Sequence, residues 1–299
     1  METSPLPRSA VLIVNARSRR GDALFAAARD TLTAAGITLV AAHAVRHPDG
    51  MRDAVRRAVR DGAPMVIVGG GDGSLSGTVD ELVGTGCVLA LLPLGTANSF
   101  ARTLGVPLDL DGAVAAIAGG RRRRIDLGMI DGDYFVNAAS IGLSPMIGDT
   151  VPHGLKRYLG RIGYLLWAVK CSAGFRAFRL TIKDESGGER EQRMWSTEVR
   201  ILNGRYQGGV ALSDTADVDS GRIVVQVVTG RSRRRLAWDW YAKFFRLRDR
   251  NAHMREFRGH AFTLDCVPPQ RISIDGEVLA RTPVVVRVAA GAVEVAAPA

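Results

Sequence analysis

Met65-Val66-Ile67-Val68-Gly69-Gly70-Gly71-Asp72-Gly73-Ser74 is the stretch from which the fold of this chain can be read. Four apolar residues in a row read as a strand buried on both faces, and Ser74 to Leu82 reads as the start of a helix. Four glycines between them let the backbone turn tightly and approach a ligand closely, because no Cβ stands in the way. Such a turn aims several N–H groups and the positive end of a helix at whatever lies above the sheet, which makes a phosphate cradle. The pattern G-x-x-x-x-G-K-[ST] is absent, and Ser76 stands where a dinucleotide fingerprint needs its third glycine. Asp72 sits inside the loop, where a bare anion site avoids negative charge. A divalent metal or a ribose hydroxyl between Asp72 and the phosphates reconciles the two. Standing alone, the loop would read as a plain glycine-rich turn.

The flanking chain repeats the same alternation. Ala10 to Val14, Ile37 to Ala44 and Cys87 to Leu92 read as further strands. A helix from Asp22 to Ala35 turns Leu24, Phe25, Ala28 and Leu32 to one face, and Gly36 ends it. A second, opened by Pro48 and running to Arg60, turns Met51, Val55 and Val59 inward and Arg52, Arg56, Arg57 and Arg60 largely outward. Continuous apolar strands alternating with helices specify an α/β N-terminal domain with a doubly wound parallel sheet, over residues 1–130. Ligands of such sheets bind beyond the carboxyl ends of the strands, where Asn15, the glycine loop and Thr96 all fall.

The Cys87 strand runs into Pro93-Leu94-Gly95-Thr96-Ala97-Asn98-Ser99-Phe100-Ala101-Arg102. With Gly-Gly-Asp-Gly-Ser and P-L-G-T-x-N-x-F-A-R in this order, one βαβ step apart, the chain resembles the diacylglycerol kinase catalytic family. That family includes bacterial lipid kinases and sphingosine kinases and is distantly similar to NAD kinases. The resemblance implies ATP and Mg²⁺ as cofactors and a lipid alcohol as phosphate acceptor. It implies that Gly69, Gly70, Gly71, Asp72, Gly73, Ser74, Thr96 and Asn98 hold the nucleotide, helped by Asn15 from a loop in which Ala16 replaces the family's proline. Ser74 stands for a family threonine and Ser99 for a family aspartate. Asp126 in Ile125-Asp126-Leu127-Gly128 resembles an aspartate of the family's metal–water network; from the residues alone it is equally a strand-end turn residue.

Beyond residue 130 the texture changes to short alternating or β-branched runs: Tyr134 to Ala139, Phe178 to Ile182, Glu198 to Leu202, Ile223 to Val228, Ala261 to Val267, Arg271 to Ile274 and Val284 to Val288. This reads as a mainly antiparallel β-sandwich C-terminal domain, residues 131–299, with two helices inserted. The run Arg121 to Arg124 before it reads as a solvated strand edge. The first inserted helix, from Leu155 to about Ser172, gathers Lys156, Arg157, Tyr164 and Trp167 opposite its core stripe. A basic face with aromatics suits a lipid headgroup region; an exposed face with rings on a neighbouring loop fits the spacing too. With Arg102, these four are the expected membrane or lipid contacts. The second helix, Arg233 to about Arg248, has an apolar face widened by Trp238, Tyr241 and Phe245, which lines a lipid-tail groove or is buried between two sheets.

Ile272-Ser273-Ile274-Asp275-Gly276-Glu277-Val278 has a plain reading, since Asp-Gly between two β runs is a hairpin turn. The family carries I-D-G-E at the corresponding place, and its glutamate is the base that activates the lipid hydroxyl. The implied roles here are Glu277 as base, Asp275 as the residue that orients it, and Asp72 as the residue that places Mg²⁺. The family also binds a structural Mg²⁺ in a loop with a D-G-L core. The matching region is Asp217-Val218-Asp219-Ser220-Gly221-Arg222, where Ser220 takes the aspartate's place and Arg222 the leucine's, leaving Asp217 and Asp219 as the carboxylates.

A net charge of +10 on 299 residues points to an anionic partner: nucleic acid, a membrane surface or a phosphorylated ligand. An aromatic content of 6% and the lack of a K/R-G-F/Y signature weigh against nucleic acid, so the expected partners are a lipid substrate and an anionic membrane surface. Cys87, Cys171 and Cys266 lie far apart in apolar runs and read as core thiols of a reducing compartment. The N-terminus lacks a signal-peptide layout and no apolar run is long enough to span a bilayer, so the expected location is cytoplasmic and peripherally membrane-associated. The leading expectation is an ATP-dependent lipid kinase. A soluble NAD-kinase-type enzyme is the alternative, and a nucleotide-gated membrane-binding protein that has lost activity is the non-enzyme reading to which Ser99 and the altered metal loop point.

Overall fold

The computed structural model describes residues 5–17, 21–47, 50–143, 145, 167, 175–185, 188–232 and 253–299. The two expected inserted helices, with Lys156, Arg157, Tyr164 and Cys171, lie outside the described residues, Trp167 excepted.

Strands β1 (Ser9–Asn15), β2 (Thr38–Val45), β3 (Met65–Gly70) and β4 (Val88–Pro93) pair in parallel in the order β2-β1-β3-β4. β3 and β4 are buried at every residue and β1 at all but its ends, which is why their sequences are nearly unbroken Val, Ile and Leu. Helices α1 (Gly21–Ala34) and α5 (Leu110–Gly119) pack together, and α2 (Gly50–Arg60) packs with α3 (Asp72–Val79) and the 3-10 turn Asp80–Leu82. Ala28 and Leu32 of α1, Met51 and Val55 of α2, and Val114 and Ile117 of α5 seal the sheet. A short helix, α4 (Ser99–Leu104), follows β4.

The second half contains β5 (Arg121–Ile130), β6 (Asp133–Phe135), β7 (Ala138–Gly142), β8 (Phe178–Asp184), β9 (Gly188–Leu202), β10 (Tyr206–Gln207), β11 (Val210–Ala211), β12 (Ile223–Thr229), β13 (Met254–Gly259), β14 (Ala261–Val267), β15 (Arg271–Ile274), β16 (Glu277–Arg281) and β17 (Val284–Ala297). Pairings among these strands are antiparallel. Their inward faces, including Phe178, Leu180, Val199, Ile201, Val225, Leu264 and Ile272, form a second core. The run expected as one strand from Tyr134 to Ala139 is split into β6 and β7, and β9 and β17 extend well beyond the runs read from sequence. Cys87 and Cys266 are buried free thiols, pushed up by burial to about 11 and about 12.

β17 joins the two halves. It pairs antiparallel with β14 and β5, and then Glu294 and Val295 lie parallel to Val88 and Leu89 of β4. Val293, Val295 and Ala296 are buried in the first core, so the end of the chain closes the parallel sheet. The arginine run also departs from its sequence reading. Arg121 to Arg124 pair along β17 rather than forming an open edge, and Arg122 and Arg124 flank Glu294 at 3.3 and 3.5 Å.

Glu81, just after α3, is gripped from α2 by Arg52 at 2.6 Å and Arg56 at 2.9 Å. The Arg56 hydrogen bond, with Arg52 adding to it against the effect of burial, holds the Glu81 carboxyl down from 4.5 to about 2. A carboxyl depressed on folding contributes stability above its unfolded value that is lost as pH falls through its folded value. Between pH 4.5 and 2, Glu81→Gln should therefore flatten the fall of wild-type stability, as measured by urea unfolding at stepped pH.

Candidate active site

β1, β3 and β4 deliver Asn15, Gly69-Gly70 and Pro93 to one end of the parallel sheet. There the two loops read from sequence touch. A Cβ on Gly95 would collide with the Cα of Gly71, and one on Gly70 would lie 2.7 Å from the Ser74 side chain. None of Gly69, Gly70, Gly71 and Gly73 takes a positive φ. The first three glycines are explained by close approach within the protein; Gly73 alone faces open space and is exposed. Gly95 and Thr96 are exposed beside it.

The side chains of the loops brace one another. Asn15 Nδ2 donates to Ser74 Oγ at 2.8 Å and fixes that hydroxyl. Asn98 is buried in a left-handed conformation, accepts from the Gly95 amide at 3.0 Å and donates to the carbonyls of Pro93 and Gly95. It shapes the second loop from behind. Asp72 reaches across and accepts the Phe100 amide at 3.2 Å, so it caps α4, whose own N-cap residue, Asn98, is spent elsewhere. Ser99, in the place of the family aspartate, accepts the Gly209 amide at 3.0 Å. Arg102 donates to the Ala97 carbonyl at 3.0 Å and is half-buried in its own loop.

From the far end of the sequence, β15 and β16 bring a hairpin to the same place. Asp275 and Gly276 both have positive φ, 45° and 102°, and form the two-residue turn that Asp-Gly prescribes. The Asp275 carboxylate accepts the amides of Val136, Asn137 and Ala138 at 2.8 to 3.2 Å and the Ser76 hydroxyl at 3.1 Å. Burial pushes the Asp275 carboxyl above its ordinary value, and these four donors pull against it. Asp275 thus anchors the turn itself. Glu277 is exposed on the next strand, opposite Ile274.

Ser76 is the residue that sequence reasoning passed over. Its position four residues after Asp72 on α3 puts it one turn away, and its hydroxyl bonds a carboxylate 199 residues distant. Ser76→Ala should cost about 1.5–3 kcal/mol of stability by urea unfolding, the range for a hydrogen bond to a charged group. Ser76→Thr, which keeps the hydroxyl, should restore it.

The remaining expected positions fall elsewhere. Asp126 gives its two carboxylate oxygens to the amides of Gly221 at 2.6 Å and Gly291 at 2.8 Å. Asp217 and Asp219 are held by arginines. In this arrangement all three carboxylates are engaged by backbone amides or guanidinium groups. Among the described residues no group of three or more His, Cys, Asp or Glu side chains is placed to hold a metal ion. Trp167, expected on a lipid-facing surface, is half-buried against the second core, where a large ring loses more apolar surface to its neighbours than it would at a wet face. No helix among the described residues is long and apolar enough to cross a membrane.

Comparison with known proteins agrees with this architecture. Residues 9–130 match the model of the diacylglycerol kinase catalytic domain, and residues 137–297 match that of the YegS C-terminal NAD kinase beta sandwich-like domain. A Chromohalobacter salexigens protein named "Probable lipid kinase YegS-like" is 36% identical over 191 residues, 60% of this chain and 58% of that protein. A Salmonella typhimurium protein named "Probable lipid kinase YegS" is 33% identical over 185 residues, 59% of this chain and 60% of that one. The matched stretch thus spans less than two thirds of these relatives. The crystal structure of a diacylglycerol kinase from Bacillus anthracis str. Sterne superposes with a TM-score of 0.75 at 20% identity, covering 97% of each chain, and so shares the fold. The chain belongs to the family of proteins that carry the YegS C-terminal NAD kinase beta sandwich-like domain, here preceded by a diacylglycerol kinase catalytic domain.

Proposed function

We propose that this chain is an ATP-dependent kinase that phosphorylates the hydroxyl of diacylglycerol or a related lipid alcohol at a membrane surface. One contact supports the reading above all. The Ser76–Asp275 hydrogen bond ties the helix that opens on the glycine loop to the hairpin that carries Glu277. That contact supports a site to which the two halves of the chain contribute phosphate-binding groups and a carboxylate base.

The exposed backbone at Gly73 and at Gly95-Thr96 and the Asp72 and Gly73 amides that open α3 bind the nucleotide phosphates. Asn15 holds the Ser74 hydroxyl toward the same loop. Asp72 is a lone carboxylate among the loop residues. This donor set fits a Mg²⁺ ion that arrives on a nucleotide, because Mg²⁺ is commonly held by one or two carboxylates together with phosphates and waters. When bound, Mg²⁺ neutralises the charge on the transferred phosphoryl group. Glu277 takes the proton of the lipid hydroxyl as that oxygen attacks the γ-phosphorus and the bond to the departing ADP breaks, and Asp275 fixes the turn that aims Glu277. The net charge of +10 favours an anionic lipid surface, where each nearby basic residue contributes about 1 kcal/mol.

The test is incubation of the purified chain with γ-labelled ATP, Mg²⁺ and separate lipid, NAD and nucleoside acceptors. Label should move to a lipid alcohol in vesicles and not to NAD. Transfer to NAD with none to any lipid overturns the reading. Co-sedimentation with anionic vesicles should weaken as salt rises; binding indifferent to both salt and lipid charge removes the membrane from it.

A further inference from the structure

We infer that the loop 217–222 of this chain is closed by an arginine clamp that stands where a divalent cation would otherwise be needed. Arg123, in the middle of the β5 arginine run, donates from Nη2 to Asp219 Oδ2 at 2.8 Å and to Asp217 Oδ1 at 3.3 Å. Its Nε donates to the same Asp219 oxygen at 3.1 Å. Arg205 covers the other side, with Nη2 3.1 Å from Asp217 Oδ2 and Nε 3.2 Å from the Ala216 carbonyl. Three of the four carboxylate oxygens of the pair thus accept from guanidinium N–H groups.

The other groups at the loop are also committed. Asp126 spends both oxygens on the amides of Gly221 and Gly291. Ser220, which stands in place of a family aspartate, turns its hydroxyl back onto the Asp217 carbonyl at 2.7 Å. A cation placed between Asp217 and Asp219 would compete with a permanent positive charge for the same oxygens. A guanidinium suits the position because it is always charged and its planar fork can bridge two carboxylates. Burial pushes the Asp219 carboxyl up, but the Arg123 hydrogen bonds and charge, with Asp217 assisting, outweigh it and hold it below its usual value. The Arg123 side chain is only 26% exposed, so water screens these contacts less than it would at an open surface.

The clamp has a purpose beyond its own loop. The segment from Asn203 to Arg222 leaves β9, donates the Gly209 amide to Ser99 at the start of α4, and returns to the clamp. Arg123 therefore steadies the segment that backs the Pro93 to Asn98 loop. Divalent-cation dependence of this protein is then confined to the nucleotide, and the fold itself needs none. This inference concerns stability and holds whether or not the proposed reaction is right.

Thermal unfolding of the full chain without nucleotide, in EDTA and in millimolar Mg²⁺ or Ca²⁺, tests it. Wild-type Tm should agree between the conditions to within about 1 °C, and Arg123→Ala should lower Tm in EDTA by about 2–6 °C, the shift expected for a small loss of stability in a chain of this size. In Arg123→Ala, Mg²⁺ or Ca²⁺ should restore part of the loss, because two facing carboxylates are left to attract it. Adding Asp219→Asn should remove that recovery. A wild-type Tm that rises by several degrees with cation, and stops rising in Asp217→Asn, overturns the clamp. So does an Arg123→Ala chain with unchanged Tm. Should Arg123→Ala fail to fold, the wild-type and Asp217→Asn pair decides alone.

Discussion

Glu277→Gln should lower kcat by roughly 10²–10⁴-fold, the usual contribution of a positioned general base, while leaving ATP affinity close to wild type. The separation follows from where the two functions sit. The loops proposed to bind phosphate follow β3 and β4, whereas Glu277 starts β16 on a hairpin from the other half. Glu277 is exposed, and no side-chain hydrogen bond or ion pair of it is made among the described residues, so its replacement breaks none of those. Glutamine keeps its size and cannot accept a proton at neutral pH. Nucleotide binding by calorimetry beside steady-state rates makes the comparison. If Glu277 only begins a strand, both quantities stay at wild-type levels, and a mutant with normal kcat removes it from the mechanism. Asp275→Asn is a poorer probe. Both Asp275 oxygens accept hydrogen bonds, and an amide there would turn an N–H₂ toward backbone N–H groups or the Ser76 hydroxyl, with a cost in stability that confuses the reading.

Asp72→Asn should reduce turnover by roughly 10²-fold or more while the fold survives, because in the proposed reaction Asp72 places the Mg²⁺ that offsets phosphoryl charge, and about 1.4 kcal/mol of lost stabilisation is tenfold in rate. The structure supplies the reason to expect an intact fold. Asp72 Oδ1 accepts the Phe100 amide, and an asparagine carbonyl can accept the same bond, so the cap on α4 persists. What asparagine lacks is the negative charge. Rates should fall at all Mg²⁺ concentrations, with the apparent Mg²⁺ requirement moved upward and the unfolding midpoint little changed. Near-normal turnover would leave Asp72 as a structural cap and nothing more.

By itself the sequence determined whatever depends on local physics. β3 and β4 are legible because strands covered on both faces must be apolar without interruption. The Asp275-Gly276 turn is legible because two successive positive φ values admit few residue pairs. The order of the motifs then carried the family. Tertiary structure decided everything that joins distant residues. Nothing near β17 states that its last residues will lie parallel to β4, since that pairing depends on an edge made some 200 residues earlier. The glycines of the loop looked like conformational devices, yet at Gly70 and Gly95 what matters is another group of the protein lying too close for a Cβ. Arg121 to Arg124 share one residue type and one strand, but Arg123 alone meets Asp217 and Asp219. Ser76 carried no signal, being one serine on a short helix, until the fold set Asp275 against it. Propensity and pattern are properties of neighbours along the chain; the partner of a side chain is a property of the packed whole.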